Sequence, residues 1–168
     1  MEKEIVCVTD HIKDFERVEK KILGKFFSEN LNKNATILLV WHQKIDQNYL
    51  INFPKVKAIV RYGVGFDNID LNYCKEKKII VLNNPDYGVD EVSDTALAMI
   101  LNLTRNIKGF ENFAKKDNES WLGKSIKGRV HRTNTLKLGI IGLGRIGGAL
   151  GRKFSALSKN IGFYDPYL

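Results

Sequence analysis

A glycine turn between an apolar run and a helical pattern restricts the fold of this chain more than any other feature. The apolar run covers residues 136–141, and Gly142, Gly144 and Gly147 follow it as G-x-G-x-x-G. The helical pattern comes next, and a second apolar run follows at residues 161–164. This order, strand, glycine turn, helix and strand, is the order of a dinucleotide-binding unit.

Each glycine has a separate purpose in such a unit. Gly142 permits the tight turn out of the strand, and Gly144 lets a pyrophosphate approach the backbone. Gly147 allows the helix to pack closely on the strand. The helix that begins near Arg145 directs unpaired N–H groups and its positive dipole end at the phosphates. A glycine-rich turn alone is weak evidence, but here the strand and helix patterns agree with it.

Asp165 ends the second apolar run, 23 residues after Gly142. An acid roughly 20 residues after the first glycine hydrogen-bonds the adenosine ribose in dinucleotide-binding units. A carboxylate at this place accepts from two ribose hydroxyls and repels a 2′-phosphate, so the sequence favours NAD over NADP. The alternative is that Asp165 is only a strand-end acid before a proline turn.

Composition excludes several classes of protein. The chain has 168 residues, 43% of them hydrophobic, which suffices for a packed core. No apolar run approaches the roughly 20 residues of a membrane helix, and the first residues lack a signal-peptide core, so we expect a cytoplasmic protein. The net charge of +8 comes from lysines interleaved with acids, which does not indicate nucleic-acid binding. Cys7 and Cys74 lack metal-site spacing, so we expect reduced, packed thiols and no metal.

The N-terminal half alternates short apolar runs with helical patterns. The predicted strands cover residues 5–9, 35–40, 58–61 and 79–82, and the predicted helices cover residues 13–27, 46–52 and 71–77. Continuously apolar strands that alternate with helices indicate an α/β fold with a parallel sheet covered on both faces.

The longest helical pattern runs from Asp90 to about Phe113, and a polar connector follows at residues 115–135. Six apolar residues at helical spacing predict a buried stripe on this helix: Val92, Ala96, Met99, Ile100, Leu103 and Ile107.

A second glycine-rich segment, R-Y-G-V-G-F-D-N-I-D from Arg61 to Asp70, follows the third predicted strand. Ligands of open parallel sheets bind at the carboxyl ends of the strands. Here glycines free backbone N–H groups, and Arg61 adds a guanidinium fork that can hold a carboxylate. The alternative is a plain turn with a solvent-facing arginine and with Asp67 or Asn68 as a helix cap.

Three blocks of sequence resemble the D-isomer-specific 2-hydroxyacid dehydrogenase family in order and spacing. They are R-Y-G-V-G-F-D-N-I-D, I-I-V-L-N-N-P-D-Y-G-V-D-E-V-S-D, and L-G-I-I-G-L-G-R-I-G with the later F-Y-D-P-Y-L. The D-N-I-D and Y-D-P-Y-L pieces look nearest to the branch that includes the C-terminal-binding proteins. The resemblance is strong from about residue 55 onward and rests only on pattern before it.

The resemblance implies a flavodoxin-like substrate domain in residues 1–100. The hinge helix, the connector and the start of an incomplete Rossmann NAD-binding domain then fill residues 101–168. Family members often open the long helix with Thr or Ser where this chain has Val89, so Gly88 or Asp90 is expected to cap it.

The family also implies roles for individual residues. Carried over by position, Arg61 and the backbone of Tyr62, Gly63 and Val64 bind the carboxylate of a 2-hydroxy or 2-keto acid, and Val64 also lies near the nicotinamide. The implied NAD-binding residues are Val64, Gly142, Leu143, Gly144, Arg145, Ile146, Gly147 and Asp165.

The family further implies a homodimer that forms through the nucleotide domain. The family's catalytic Arg, acid and His all come after the glycine turn, so we expect an N-terminal fragment that is inactive alone. His11, His42 and His131 match no catalytic position and are expected on the surface. Two alternatives to a dehydrogenase stay open, a non-catalytic NAD-sensing scaffold and a stand-alone flavodoxin-like module.

Overall fold

The computed structural model describes residues 4–10, 18–116 and 130–168. The chain divides into two compact units, Met1–Tyr87 and Gly88–Leu168, here called the first and second units. The domain division predicted at residue 100 stays a prediction.

The first unit contains a five-stranded parallel sheet. Its strands are β1 (Val6–Val8), β2 (Phe27–Ser28), β3 (Ile37–Val40), β4 (Ala58–Arg61) and β5 (Ile80–Leu82). They lie in the order β2-β1-β3-β4-β5, and every neighbouring pair is parallel. This is the flavodoxin-like order, so the predicted α/β fold is confirmed. β2 was missed, because its two residues lie at the end of the segment predicted to be helical.

Three short helices belong to the first unit: α1 (Val18–Leu23), α2 (Gln47–Leu50) and α3 (Leu71–Glu76). Asp46 caps α2 by accepting from the Tyr49 N–H, and Asp70 caps α3 by accepting from the Tyr73 N–H. α1 is much shorter than the helix predicted over residues 13–27, and it ends in a 3-10 turn, Gly24–Phe26. Residues 11–17 of that prediction lie outside the described residues.

Side chains that alternate along the strands fill both faces of the sheet. Cys7, Leu38 and Ile59 belong to a large buried cluster on one face, which also takes in Cys74 from α3. Val6, Val8 and Leu39 form a smaller cluster on the other face. Successive side chains of a strand point to opposite faces, so this division follows directly from the sequence. Both cysteines are free and buried, as predicted.

The second unit combines helices with a two-stranded parallel sheet. Its elements are α4 (Val89–Thr104), α5 (Ile107–Lys116), a 3-10 turn (Thr133–Thr135), β6 (Leu138–Ile141), α6 (Arg145–Phe154) and β7 (Ile161–Tyr164). The strands pair in register from Leu138 with Ile161 to Ile141 with Tyr164. β6, α6 and β7 form the strand–turn–helix–strand unit that the glycine spacing predicted.

The prediction of a single long helix from Asp90 to Phe113 was wrong in two respects. The helix is broken between α4 and α5, where Asn106 adopts the left-handed conformation with φ of 51°. Its apolar stripe is also not buried, since Met99 is 61% exposed and Leu103 is 79% exposed. Helical spacing shows which residues share a face, but it does not show whether another part of the described chain covers that face.

Gly88, one of the two predicted caps, is the N-cap of α4 and makes no side-chain capping bond. Ser93 is the buried residue of this helix. No helix among the described residues is long and apolar enough to cross a membrane.

Candidate functional site

The glycine turn of the second unit, residues 142–147, joins β6 to α6. Gly142 has a φ of 89°, a conformation that side chains with a Cβ rarely adopt. Its N–H donates to the Tyr164 carbonyl at 2.8 Å, which fixes the start of the turn to the end of β7.

Gly147 and Gly144 differ in how much space surrounds them. A Cβ at Gly147 would lie 2.1 Å from the Gly142 carbonyl oxygen and 3.2 Å from Ile140, so only glycine allows α6 to pack this closely. A Cβ at Gly144 would have no neighbour within 4 Å, so its backbone is open to an approaching group. Gly144 is the N-cap of α6 and makes no side-chain capping bond. This cradle suits a pyrophosphate, because the first N–H groups of a helix lack intrahelical acceptors.

Asp165 lies directly beside the glycine turn. Its Oδ2 accepts from the Leu143 N–H at 2.7 Å, and its Oδ1 accepts from the Tyr167 N–H at 2.9 Å. The structure thus brings the predicted ribose-binding acid and the turn together. A carboxylate has about four acceptor positions, so lone pairs are left for two hydroxyls. The bond to Tyr167 also fits the simpler interpretation of a strand-end acid at a turn.

A lysine that the sequence did not single out fastens α6 to α4. Lys153 Nζ donates to Ser93 Oγ at 2.8 Å and lies 2.6 Å from Asp94 and 3.0 Å from Asp90. The bond to Asp94 is the main reason that the pKa of Lys153 is raised, and Asp90 adds to it. This contact fixes the helix whose N-terminus forms the cradle.

The glycine loop of the first unit, residues 61–70, begins at the carboxyl end of β4. The N–H of Tyr62 donates to the Val40 carbonyl at 2.8 Å, so this N–H belongs to the sheet and is not available to a ligand. Its hydroxyl donates to Glu19 at 2.6 Å. Burial, and then the bond to Glu19, raises the pKa of Tyr62. Tyr62 is therefore a neutral hydrogen-bond donor that ties the loop to α1.

The next two peptide groups of the loop are held by their carbonyls. Gly63 O accepts from the Asn84 N–H at 3.1 Å, and Val64 O accepts from Asn83 Nδ2 at 2.8 Å. The N–H groups of Gly63, Val64 and Gly65 have no acceptor among the described residues. Successive N–H groups in a turn conformation can together bind an anion. Gly65 was not in the predicted set, although its place in G-V-G was a signal for it.

Arg61 lies over the same loop. A Cβ at Gly63 would be 2.5 Å from Arg61 Nη1, so the glycine makes room for the guanidinium. Arg61 Nε is buried and has no hydrogen-bond partner among the described residues. An unsatisfied buried donor beside unpaired N–H groups indicates an anionic ligand. Arg61 as a whole is only half-buried, so a partly solvent-facing arginine in a plain turn is also compatible with this geometry.

The far end of the loop is anchored to the segment after β3. Asn68 Nδ2 donates to the Gln43 carbonyl at 2.8 Å, while Asp10 accepts from the N–H groups of Trp41 and Gln43, each at 3.0 Å. Burial raises the pKa of Asp10, but its bonds from Thr9 and from the backbone lower it more. Asp67 or Asn68 as the cap of α3 was wrong, because Asp70 fills that place.

The two described histidines, His42 and His131, take no part in either glycine segment. His42 and His131 are exposed, in agreement with the surface positions predicted for them. His11 lies outside the described residues.

A flavodoxin-like sheet with a glycine loop at its carboxyl edge, and a separate strand–turn–helix–strand unit with the geometry of a dinucleotide cradle, define an α/β protein of the dinucleotide-binding type. The sequence matches the family described as D-isomer specific 2-hydroxyacid dehydrogenase, catalytic domain, over residues 5–161. The chain belongs to this family.

Individual relatives agree with this assignment. The chain is 35% identical over 142 residues to a glyoxylate reductase of Thermococcus litoralis, an overlap of 79% of this chain and 40% of that protein. It is 37% identical over 137 residues to a D-3-phosphoglycerate dehydrogenase of Methanocaldococcus jannaschii, covering 81% of this chain and 25% of that protein. The chain therefore spans less than half the length of these relatives.

A solved structure shows the same fold. The D-lactate dehydrogenase of Aquifex aeolicus, crystallised with NAD and lactic acid, superposes with a TM-score of 0.78 at 29% identity. The match covers 97% of this chain and 51% of that chain.

Proposed function

We propose that the complete protein interconverts a D-2-hydroxy acid and a 2-keto acid with NAD as the hydride carrier. The observation that carries this proposal is the Asp165 carboxylate held 2.7 Å from the Leu143 N–H of a G-x-G-x-x-G turn. Family membership and an NAD-bound relative support the same reaction class.

In the second unit, the glycine turn holds the cofactor. The N–H groups of Arg145 and Ile146 bind the pyrophosphate at the start of α6, with Gly142, Leu143, Gly144 and Gly147 shaping the backbone around it. Asp165 accepts from the ribose hydroxyls and disfavours a 2′-phosphate, which is the reason for preferring NAD. When bound, NAD supplies the hydride acceptor that this chain's side chains lack.

In the first unit, the glycine loop holds the substrate carboxylate. Arg61 pairs with it, and the N–H groups of Gly63 and Val64 hydrogen-bond it, with Val64 also placed near the nicotinamide. We add Gly65 to this set, since its N–H is unpaired in the same way. The Tyr62 N–H does not belong to this set, because it donates to the Val40 carbonyl, and the Tyr62 hydroxyl holds the loop to Glu19.

The proton-transfer step belongs to residues beyond this chain. The chain spans about half of a solved relative, and the family's catalytic His, acid and second Arg come after the glycine turn. We therefore propose that this sequence is the N-terminal part of a longer enzyme and is inactive alone. A cytoplasmic homodimer that forms through the nucleotide domain, without nucleic acid or membrane as a partner, completes the proposal.

A non-catalytic scaffold that senses NAD is the second candidate. The D-N-I-D and Y-D-P-Y-L sequences favour it, because they look nearest to the C-terminal-binding-protein branch. Such a scaffold binds NAD through the same turn but turns over no substrate.

Loss of NADH absorbance on addition of a keto acid tests the proposal. The complete protein is given NADH with glyoxylate, pyruvate or hydroxypyruvate in turn, and Asp165→Ala is the comparison variant. We expect turnover of at least one acid and a higher KM for NADH in the variant. NAD binding without turnover of any acid would support the scaffold, and absence of NAD binding would contradict both candidates.

A further inference from the structure

We propose that Asn83 is a positioning residue that sets the direction of the N–H donors in the glycine loop. The inference rests on the proposed carboxylate-binding role of that loop. It assigns a purpose to a side chain that lies outside the loop and after β5, 19 positions along the chain from the residue it contacts.

The argument starts from the geometry of a peptide group. The C=O and the following N–H of a planar trans peptide point in opposite directions. Asn83 Nδ2 donates to Val64 O at 2.8 Å, so the Val64 carbonyl faces β5. The N–H of Gly65 belongs to the same peptide and therefore faces away from β5.

A main-chain N–H orients the preceding peptide, Gly63–Val64, in the same direction. Gly63 O accepts from the main-chain N–H of Asn84 at 3.1 Å, which turns the Val64 N–H away from β5 as well. Two consecutive donors thus converge on one side of the loop. A main-chain donor survives any substitution except proline, whereas the donor of Asn83 depends on its side-chain amide.

Glycine makes this control necessary. Gly63 and Gly65 flank Val64, and glycine backbones rotate more freely than those of other residues. Without the Asn83 amide, the Val64–Gly65 peptide is free to turn its carbonyl toward the ligand side. A carbonyl oxygen there repels a carboxylate, while Arg61 Nε loses the anion that would satisfy it.

Oxamate, a small carboxylate shaped like a 2-keto acid, is the probe for the test. The complete protein is labelled with nitrogen-15, and the amide signals of Val64 and Gly65 are followed during an oxamate titration in the presence of NADH. We expect both signals to shift in the unchanged protein. Asn83→Ala should weaken oxamate binding about tenfold, and Asn83→Gln should restore part of it.

Asn84→Ala is the matched control. It removes an exposed amide side chain of the same size from the next position and leaves the main-chain bond to Gly63 in place. We expect its oxamate affinity and its thermal midpoint to match those of the unchanged protein. Steady-state kinetics with a keto acid should show a higher KM and an unchanged kcat for Asn83→Ala.

Equal oxamate affinity in Asn83→Ala and Asn84→Ala would overturn the inference. It would equally be overturned if the Val64 and Gly65 amides did not respond to oxamate in the unchanged protein. The expected amide shifts without turnover of any keto acid would contradict the proposed dehydrogenase while supporting the role of Asn83.

Discussion

The glycine loop of the first unit and the glycine turn of the second unit are built on sheets of different completeness. The loop follows a strand with a neighbour on each side, in a five-stranded sheet with buried clusters on both faces. The turn follows β6, and β6 and β7 pair only with each other among the described residues. Ile59 in β4 is 0% exposed, whereas Ile141 in β6 is 90% exposed.

This comparison shows that the local geometry of a site and the burial that stabilises it depend on different features of the chain. The glycine turn has every local feature of a dinucleotide cradle, because those features depend on φ angles and on the close approach of Gly147. Little apolar surface is buried around it, so hydrophobic burial stabilises the second unit less than the first. Tyr164 on β7 pairs with Ile141, lies on the same face of the sheet and is also exposed.

The largest expected effect is the difference in stability between substitutions of the two isoleucines, Ile59 and Ile141. Ile59→Ala should lower the free energy of unfolding by about 2–5 kcal/mol, because it leaves a cavity in a packed core. Ile141→Ala should change the free energy by no more than about 0.5 kcal/mol, because its side chain lies in solvent in this chain. Urea unfolding of the 168-residue chain measures both. Similar losses from the two variants would show that β6 is covered in solution.

A smaller effect is expected at the glycine turn itself. Gly147→Ala places a methyl group 2.1 Å from the Gly142 carbonyl, which forces α6 away from the turn. Overpacking of this kind costs about 1–3 kcal/mol, so NAD affinity should fall by tenfold or more in a calorimetric titration of the complete protein.

Gly148→Ala is the control for that variant. A Cβ at Gly148 meets only Arg152 Nη1, at 3.5 Å, an ordinary contact with a flexible side chain. NAD affinity should not change, and α6 should gain slightly in stability, since alanine is a better helix former than glycine. If both variants bind NAD as well as the unchanged protein, the close packing of α6 is not needed for the cofactor.

The smallest effect concerns the anchor of the glycine loop and depends on pH. The pKa of Asp10 is lowered in the folded state. Its carboxylate therefore stabilises the fold at pH values above the ordinary pKa of an aspartate, about 3.9. That contribution is lost as the pH falls through the lowered pKa. Asp10→Asn should cost about 1 kcal/mol at neutral pH. This is less than the roughly 1.5–3 kcal/mol of a hydrogen bond to a charged group, because solvent screens this half-exposed carboxylate.

Unfolding free energies measured at neutral pH and near pH 3 check this prediction. The difference between the unchanged protein and Asp10→Asn should shrink in acid. A difference that stays constant across this range would mean that the Asp10 carboxylate does not hold the Trp41–Gln43 segment.

The sequence predicted the features that depend on neighbouring residues. Strands β1, β3, β4 and β5 have continuous apolar runs, and the glycine turn needs its three glycines at fixed spacing. The position of Asp165 beside the turn could be predicted because its distance from Gly142 follows from the length of one helix and one strand. These inferences require only local geometry and the family's order of elements.

Contacts between distant segments could not be predicted in the same way. The bond from Asn83 to Val64 joins residues 19 positions apart, and the bond from Trp41 to Asp10 joins residues 31 positions apart. Both depend on which strands become neighbours in the sheet. The exposed stripe of α4 has the same cause, because periodicity does not reveal what covers a helix.

Calorimetric titration of the complete protein with NAD and with NADP tests most directly whether the glycine turn and Asp165 form the cofactor site. We predict that NAD binds more tightly than NADP, and that Asp165→Ala weakens NAD binding by about tenfold, or about 1.4 kcal/mol, while NADP binding falls less. Equal affinities for the two cofactors, unchanged by Asp165→Ala, would contradict this account.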